Sequence, residues 1–89
     1  MTAKDLYTFQ PSKIVMYSVD WCADCRRAKS FFQLNNIPVL EVNVDKDEQA
    51  ASFVRKVNSG NRVVPTIIFP DGDILTEPSE AQLAEKLEL

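Results

Sequence analysis

Two short runs constrain this chain more than anything else in it. "KIVMYSV", Lys13 to Val19, is rich in β-branched and aromatic residues and reads as a buried strand. "VLEVNVD", Val39 to Asp45, alternates apolar with polar and reads as a second strand. Between them lies a helical pattern in which Ala28, Phe31, Phe32 and Leu34 form a broad apolar side, ended by Asn35-Asn36 with Pro38 just beyond. Strand, helix and strand in that order predict a right-handed parallel crossover.

The remaining elements follow from local signals. Asp45 is placed to cap a second helix, with Glu48 three residues on at capping-box spacing. That helix carries Ala50, Phe53, Val54 and Val57 on one face, and Gly60 in "NSGN" suits a left-handed residue at its end. "TIIF" after Pro65 and "DILT" flank the turn signal "PDG", which predicts a hairpin. "PSEAQ" opens a last helix, with Ser79 as cap, Gln82 three residues later, and Leu83, Ala84 and Leu87 as the apolar face. The order β-α-β-α-β-β-α predicts one mixed sheet of four strands with helices on both faces. Residues 13–89 are expected to form the domain, and residues 1–12 are a leading segment of uncertain order, either docked through Leu6, Tyr7 and Phe9 or frayed.

With 89 residues the chain has room for one domain. No apolar run approaches the roughly 20 residues that span a bilayer, and the first residues lack the basic-then-apolar order of a signal peptide. A cytoplasmic monomer is expected, with no membrane contact. The net charge of −3 comes without a basic stripe, so nucleic acid is not an expected partner. Histidine is absent. That removes Cys–His nucleophilic catalysis and His-ligated zinc together.

Both cysteines lie in "VDWCADCRR", at Cys22 and Cys25. Cys22 falls where the first strand hands over to the helix. Unpaired backbone N–H groups and the positive end of the helix dipole favour thiolate over thiol there. Cys25 lies one helical turn on, faces the same side, and is placed to displace whatever Cys22 captures. Asp20 and Asp24 oppose the positive potential. A closed structural zinc site needs four ligands, and two thiols without histidine do not supply them. Trp21 beside the nucleophile reads as a partly exposed platform.

Three stretches carry a family resemblance: "MYSVDWCADCRRAKSFF", "FVRKVNSGNRVVPTIIFPDGDILTEPS" and the spacing between them. From about Lys13 to Leu87 the chain resembles glutaredoxins, most closely the mycoredoxin group. The resemblance implies a thioredoxin-like fold with strand order 2-1-3-4. It implies thiol–disulfide oxidoreductase activity with Cys22 as attacking thiol, Cys25 as resolving thiol and Pro65 as a cis-proline. It further implies a groove for a small thiol lined by Tyr17, Trp21, Val64, Pro65, Leu75, Thr76 and Glu77. No bound cofactor or metal is required. The co-substrate would be a low-molecular-weight thiol such as mycothiol or glutathione, and the partners would be disulfide-containing proteins. Two other readings are an iron–sulfur or metal carrier using Cys22, and a dedicated electron donor fed by a thioredoxin reductase.

Overall fold

The computed structural model describes residues 3–89; Met1 and Thr2 of the leading segment lie outside the described residues. Four strands are present: β1 Val15–Ser18, β2 Leu40–Asn43, β3 Thr66–Ile68 and β4 Ile74–Thr76. Three helices accompany them: α1 Ala23–Leu34, α2 Glu48–Val57 and α3 Glu80–Leu87. The sheet has the expected order β2-β1-β3-β4. β1 and β2 are parallel, with Val15 opposite Leu40 and Tyr17 opposite Val42. β3 runs antiparallel to both β1 and β4, so β3–β4 is the predicted hairpin.

The period of two in the strands sorts the core into two layers. Val15, Tyr17, Val19 and Ile68 join a cluster with Ala50, Phe53 and Val54 of α2. Met16 and Ile67 point the other way and join Ala28 and Phe32 of α1, Leu83 of α3, and Phe69. A buried phenylalanine such as Phe32 typically contributes about 3–5 kcal/mol. Exposed ion pairs on the same helices give about 0–1 kcal/mol each, so burial, not surface charge, holds the helices down.

Two local expectations need correction, and a third, the left-handed Gly60, is met with Ser59 sharing the step. Leu34 does not belong to the apolar side of α1, since it is 82% exposed. It lies about half a turn past Phe32 and therefore faces solvent. Asp45 does not cap α2. Asn43 accepts the Asp45 N–H on its side chain at 2.9 Å and starts a single 3₁₀ turn over Val44–Lys46. The α-helix therefore begins two residues late, and the Asp47 side chain takes the Ala50 N–H at 3.2 Å. The left-handed step after α2 is shared: Ser59 has φ 57° and Gly60 φ 98°. The Gly60 N–H then returns to the Arg55 carbonyl at 2.6 Å, as in a Schellman ending. Ser79 and Gln82 form the full capping box expected for α3.

The leading segment docks. The Tyr7 N–H donates to the Tyr17 hydroxyl at 2.9 Å, and the Tyr7 hydroxyl donates to the Asp47 carboxylate. Phe9 packs on Phe53 with ring centroids 5.2 Å apart. The Ser12 N–H and hydroxyl donate to Asp5 Oδ1 at 2.6 and 2.7 Å. Among the described residues no helix is long and apolar enough to cross a membrane.

Candidate active site

β1 ends at Ser18, and four residues later Cys22 caps α1 with extended backbone, φ −96° and ψ 123°. A serine or aspartate oxygen usually fills this position. Here the Cys22 sulfur does, accepting the Cys25 N–H at 3.2 Å. A sulfur held there faces the N–H groups and the positive dipole end of a 12-residue helix, an environment that favours negative charge. Cys22 is half-buried, Cys25 is 3% exposed, and both are free. Burial, reinforced by the hydrogen bond with Cys22, pushes the Cys25 thiol up to about 12. A surface thiol thus stands over a buried one that keeps its proton.

The loop before β3 closes the other side of Cys22. Its sulfur lies 4.0 Å from the Val64 carbonyl oxygen, and the Val64–Pro65 peptide bond is cis. Asn58, which caps the end of α2, fixes this loop. Its amide nitrogen donates to the Val54 carbonyl at 2.9 Å and to the Thr66 hydroxyl at 3.1 Å. Its amide oxygen accepts the Thr76 hydroxyl at 3.1 Å. The Thr66 hydroxyl donates to the Val63 carbonyl at 2.7 Å. The Glu77 N–H donates to the Pro65 carbonyl at 2.9 Å, which draws the end of β4 to the same loop.

Trp21, next to Cys22 in the chain, is 68% exposed. Its indole Nε1 donates to Asp45 Oδ2 at 2.8 Å, and the other oxygen of Asp45 accepts Arg62 Nη2 at 2.6 Å. These bonds, the Arg62 guanidinium first and the indole second, hold the Asp45 carboxyl below the usual carboxylate range. Asp24 pairs with Arg27 one turn along α1, so part of its charge is answered locally. On the Cys25 side a cavity of about 150 Å³ is lined by Ser18, Asp20, Arg26, Lys29 and Glu41. Among the described residues no group of three or more His, Cys, Asp or Glu side chains is arranged to hold a metal ion.

Of the residues expected to line a groove, Trp21, Val64, Pro65, Thr76 and Glu77 converge on the loop facing Cys22. Pro65 is itself buried and contributes through its backbone. Leu75 is half-buried and packs inward against the layer of Met16 and Ile67. Tyr17 does not line a groove: it is 0% exposed and its hydroxyl is taken by the Tyr7 N–H. Its place in β1 opposite Val42 and Thr66, at the centre of the sheet, turns it into the layer beneath α2. Sequence reading missed Asp45 and Arg62. They come from separate segments, and only the fold brings them to Trp21.

A glutaredoxin family model matches residues 14–75. A Mycobacterium tuberculosis protein described as a glutaredoxin is 42% identical over 74 residues, covering 83% of this chain and 88% of the relative. Mycoredoxin 1 of Corynebacterium glutamicum is 36% identical over 77 residues, covering 86% and 95%. In three dimensions the chain is similar to a glutaredoxin from Archaeoglobus fulgidus, with TM-score 0.71, 23% identity and 88% of each chain covered. The family model over residues 14–75 and relatives at 36–42% identity show that the chain belongs to the glutaredoxin family of thiol–disulfide oxidoreductases.

Proposed function

We propose that the protein reduces mixed disulfides between proteins and a small thiol, and protein disulfides, through Cys22 and Cys25. The observation that carries this reading is the Cys22 sulfur at the start of α1, holding the N–H of the buried Cys25. The Cys22 thiolate attacks one sulfur of the substrate disulfide. A Cys22–sulfur bond forms, the old sulfur–sulfur bond breaks, and the leaving thiolate takes a proton. Cys25 then gives up its proton and attacks the Cys22 sulfur. The intramolecular disulfide forms, the captured thiol leaves, and two electrons from an external thiol or reductase restore the pair. Burial keeps Cys25 protonated while Cys22 is free, so the second thiol is held back until the first has reacted.

The groove for the small thiol is formed by Trp21, the Val64 and Pro65 backbone, and the Leu75–Glu77 stretch. The co-substrate is a small thiol of the mycothiol or glutathione kind. Mycothiol is the first thiol to test, because the chain is 36% identical to a mycoredoxin. A free, exchangeable pair suits a reducing compartment, which favours the cytoplasm.

The test measures turnover of a protein mixed disulfide with mycothiol, with glutathione, and with a thioredoxin reductase and its reductant. Turnover supported by a small thiol, and reduced at least about 10³-fold in Cys22→Ser, is the expected result. Turnover with the reductase alone would replace this reading with that of a dedicated electron donor. No turnover with any of the three would overturn both.

A further inference from the structure

The Asp45 carboxylate lies where three segments meet beside Cys22. Trp21 comes from the β1–α1 turn, Asp45 from the 3₁₀ turn after β2, and Arg62 from the loop that leads to Val64 and Pro65. The carboxylate bonds the indole through one oxygen and the guanidinium through the other, at 2.8 and 2.6 Å. Helix capping falls to Asp47, so Asp45 is free of that duty. An exposed ion pair of this kind adds little to stability. Its main consequence is electrical: it cancels the cation that the Pro65 loop carries.

Other charges nearby reinforce that balance. Asp20 is exposed and accepts the Asn43 side-chain amide at 3.3 Å, and Glu77 is exposed at the end of β4. Among the described residues neither has a cation within ion-pair distance. Arg26 lines the cavity on the Cys25 side, with its guanidinium donating to the Asp20 carbonyl at 3.0 Å. Lys46 is exposed beside Asp45 in the chain, without an ion pair. With Arg62 answered, Lys46 is the cation left beside Asp45, so an incoming thiol that carries carboxylates meets less positive charge on the Trp21 side than a free Arg62 would add, whereas an uncharged one loses nothing.

We propose that Asp45 is a positioning residue that sets the charge selectivity of the groove, by neutralising Arg62 and fixing the Trp21 indole, so that uncharged thiols are accepted in preference to anionic ones. This rests on the proposed reduction of small-thiol mixed disulfides and names the property that discriminates among those thiols. The carboxyl is held in its charged form by the same two bonds, so the device operates throughout the neutral range.

The experiment uses one peptide capped through its cysteine by glutathione, which carries two carboxylates and one ammonium, or by uncharged 2-mercaptoethanol. The ratio of kcat/KM for the two is measured in the full chain as wild type, D45N, R62Q and D45N/R62Q. D45N keeps an acceptor for the indole but releases Arg62. It should raise the glutathione-to-mercaptoethanol ratio about fivefold, through KM rather than kcat, with the gain shrinking at high salt. R62Q alone leaves the Asp45 carboxylate unanswered and should lower the ratio by a similar factor, and R62Q added to D45N should bring it back to within about twofold of wild type. Trp21 is the chain's one tryptophan, so its emission reports the platform directly. Emission should shift to the red in D45A and hold in D45N. A D45N ratio within about twofold of wild type, the same gain in D45N/R62Q, or unchanged emission in D45A would overturn the proposal. A wild type that reduces neither peptide would instead overturn the proposed function on which it rests.

Discussion

Cys22 and Cys25 are the same amino acid three positions apart, yet the fold gives them different surroundings. Cys22 takes a cap position at the surface, and Cys25 takes a core position under it. At neutral pH a thiol pushed up to about 12 is ionised roughly 10³-fold less than one at 9.0. Iodoacetamide at pH 7 should therefore label Cys22 and leave Cys25 about 10²–10³ times slower in the native protein, with the two equal in denaturant. Peptide mapping by mass spectrometry reads this, and equal native rates would contradict the assignment. Their spacing already predicts that both sulfurs share a side of α1. The depth of Cys25 is not legible that way, because it depends on Val19, Val44 and other members of a cluster assembled from distant segments.

At the scale of elements, the leading segment is a strap across the layer beneath α2. Tyr7 ties it to both β1 and the α2 cap. The hydrogen bond to Asp47, with burial second, raises the Tyr7 hydroxyl from 10.0 to about 12. The neutral phenol is thus favoured in the folded state. The stabilisation is complete below pH 10 and is lost as pH rises toward 12. Denaturant unfolding across that range should show wild type losing stability more steeply than Tyr7→Phe, and parallel curves would remove Tyr7 as the cause. Local chemistry made parts of this scale readable in advance. The Ser79–Gln82 box needs only four residues, and it forms as the spacing predicts. By sequence Asp45 is the expected cap, and the duty passes to Asp47 because the Asn43 side chain diverts the chain into a 3₁₀ turn first. The family resemblance implies Tyr17 as a groove residue. It is core because Tyr7, ten positions upstream, covers it.

For the whole molecule, the order of strand and helix signals suffices for one mixed sheet of four strands with helices on both faces, since each element buries one apolar side, whereas the strand order 2-1-3-4 is legible only through the family resemblance. The sheet then delivers the reactive turn to the carboxyl end of β1, where the loop before β3 also arrives. The Asp45 bridge escapes sequence reading for the same reason: its three contributors meet only after the crossover and the hairpin have formed. The division of labour between the two sulfurs is what this architecture supports most directly, and one trapping measurement tests it. Cys25→Ser is mixed with a glutathione-capped peptide and the covalent adduct is mapped by mass spectrometry. A stable mixed disulfide on Cys22 in that variant, with none accumulating in Cys22→Ser, is the expected result. An adduct on Cys25 in Cys22→Ser, formed at a comparable rate, would contradict it.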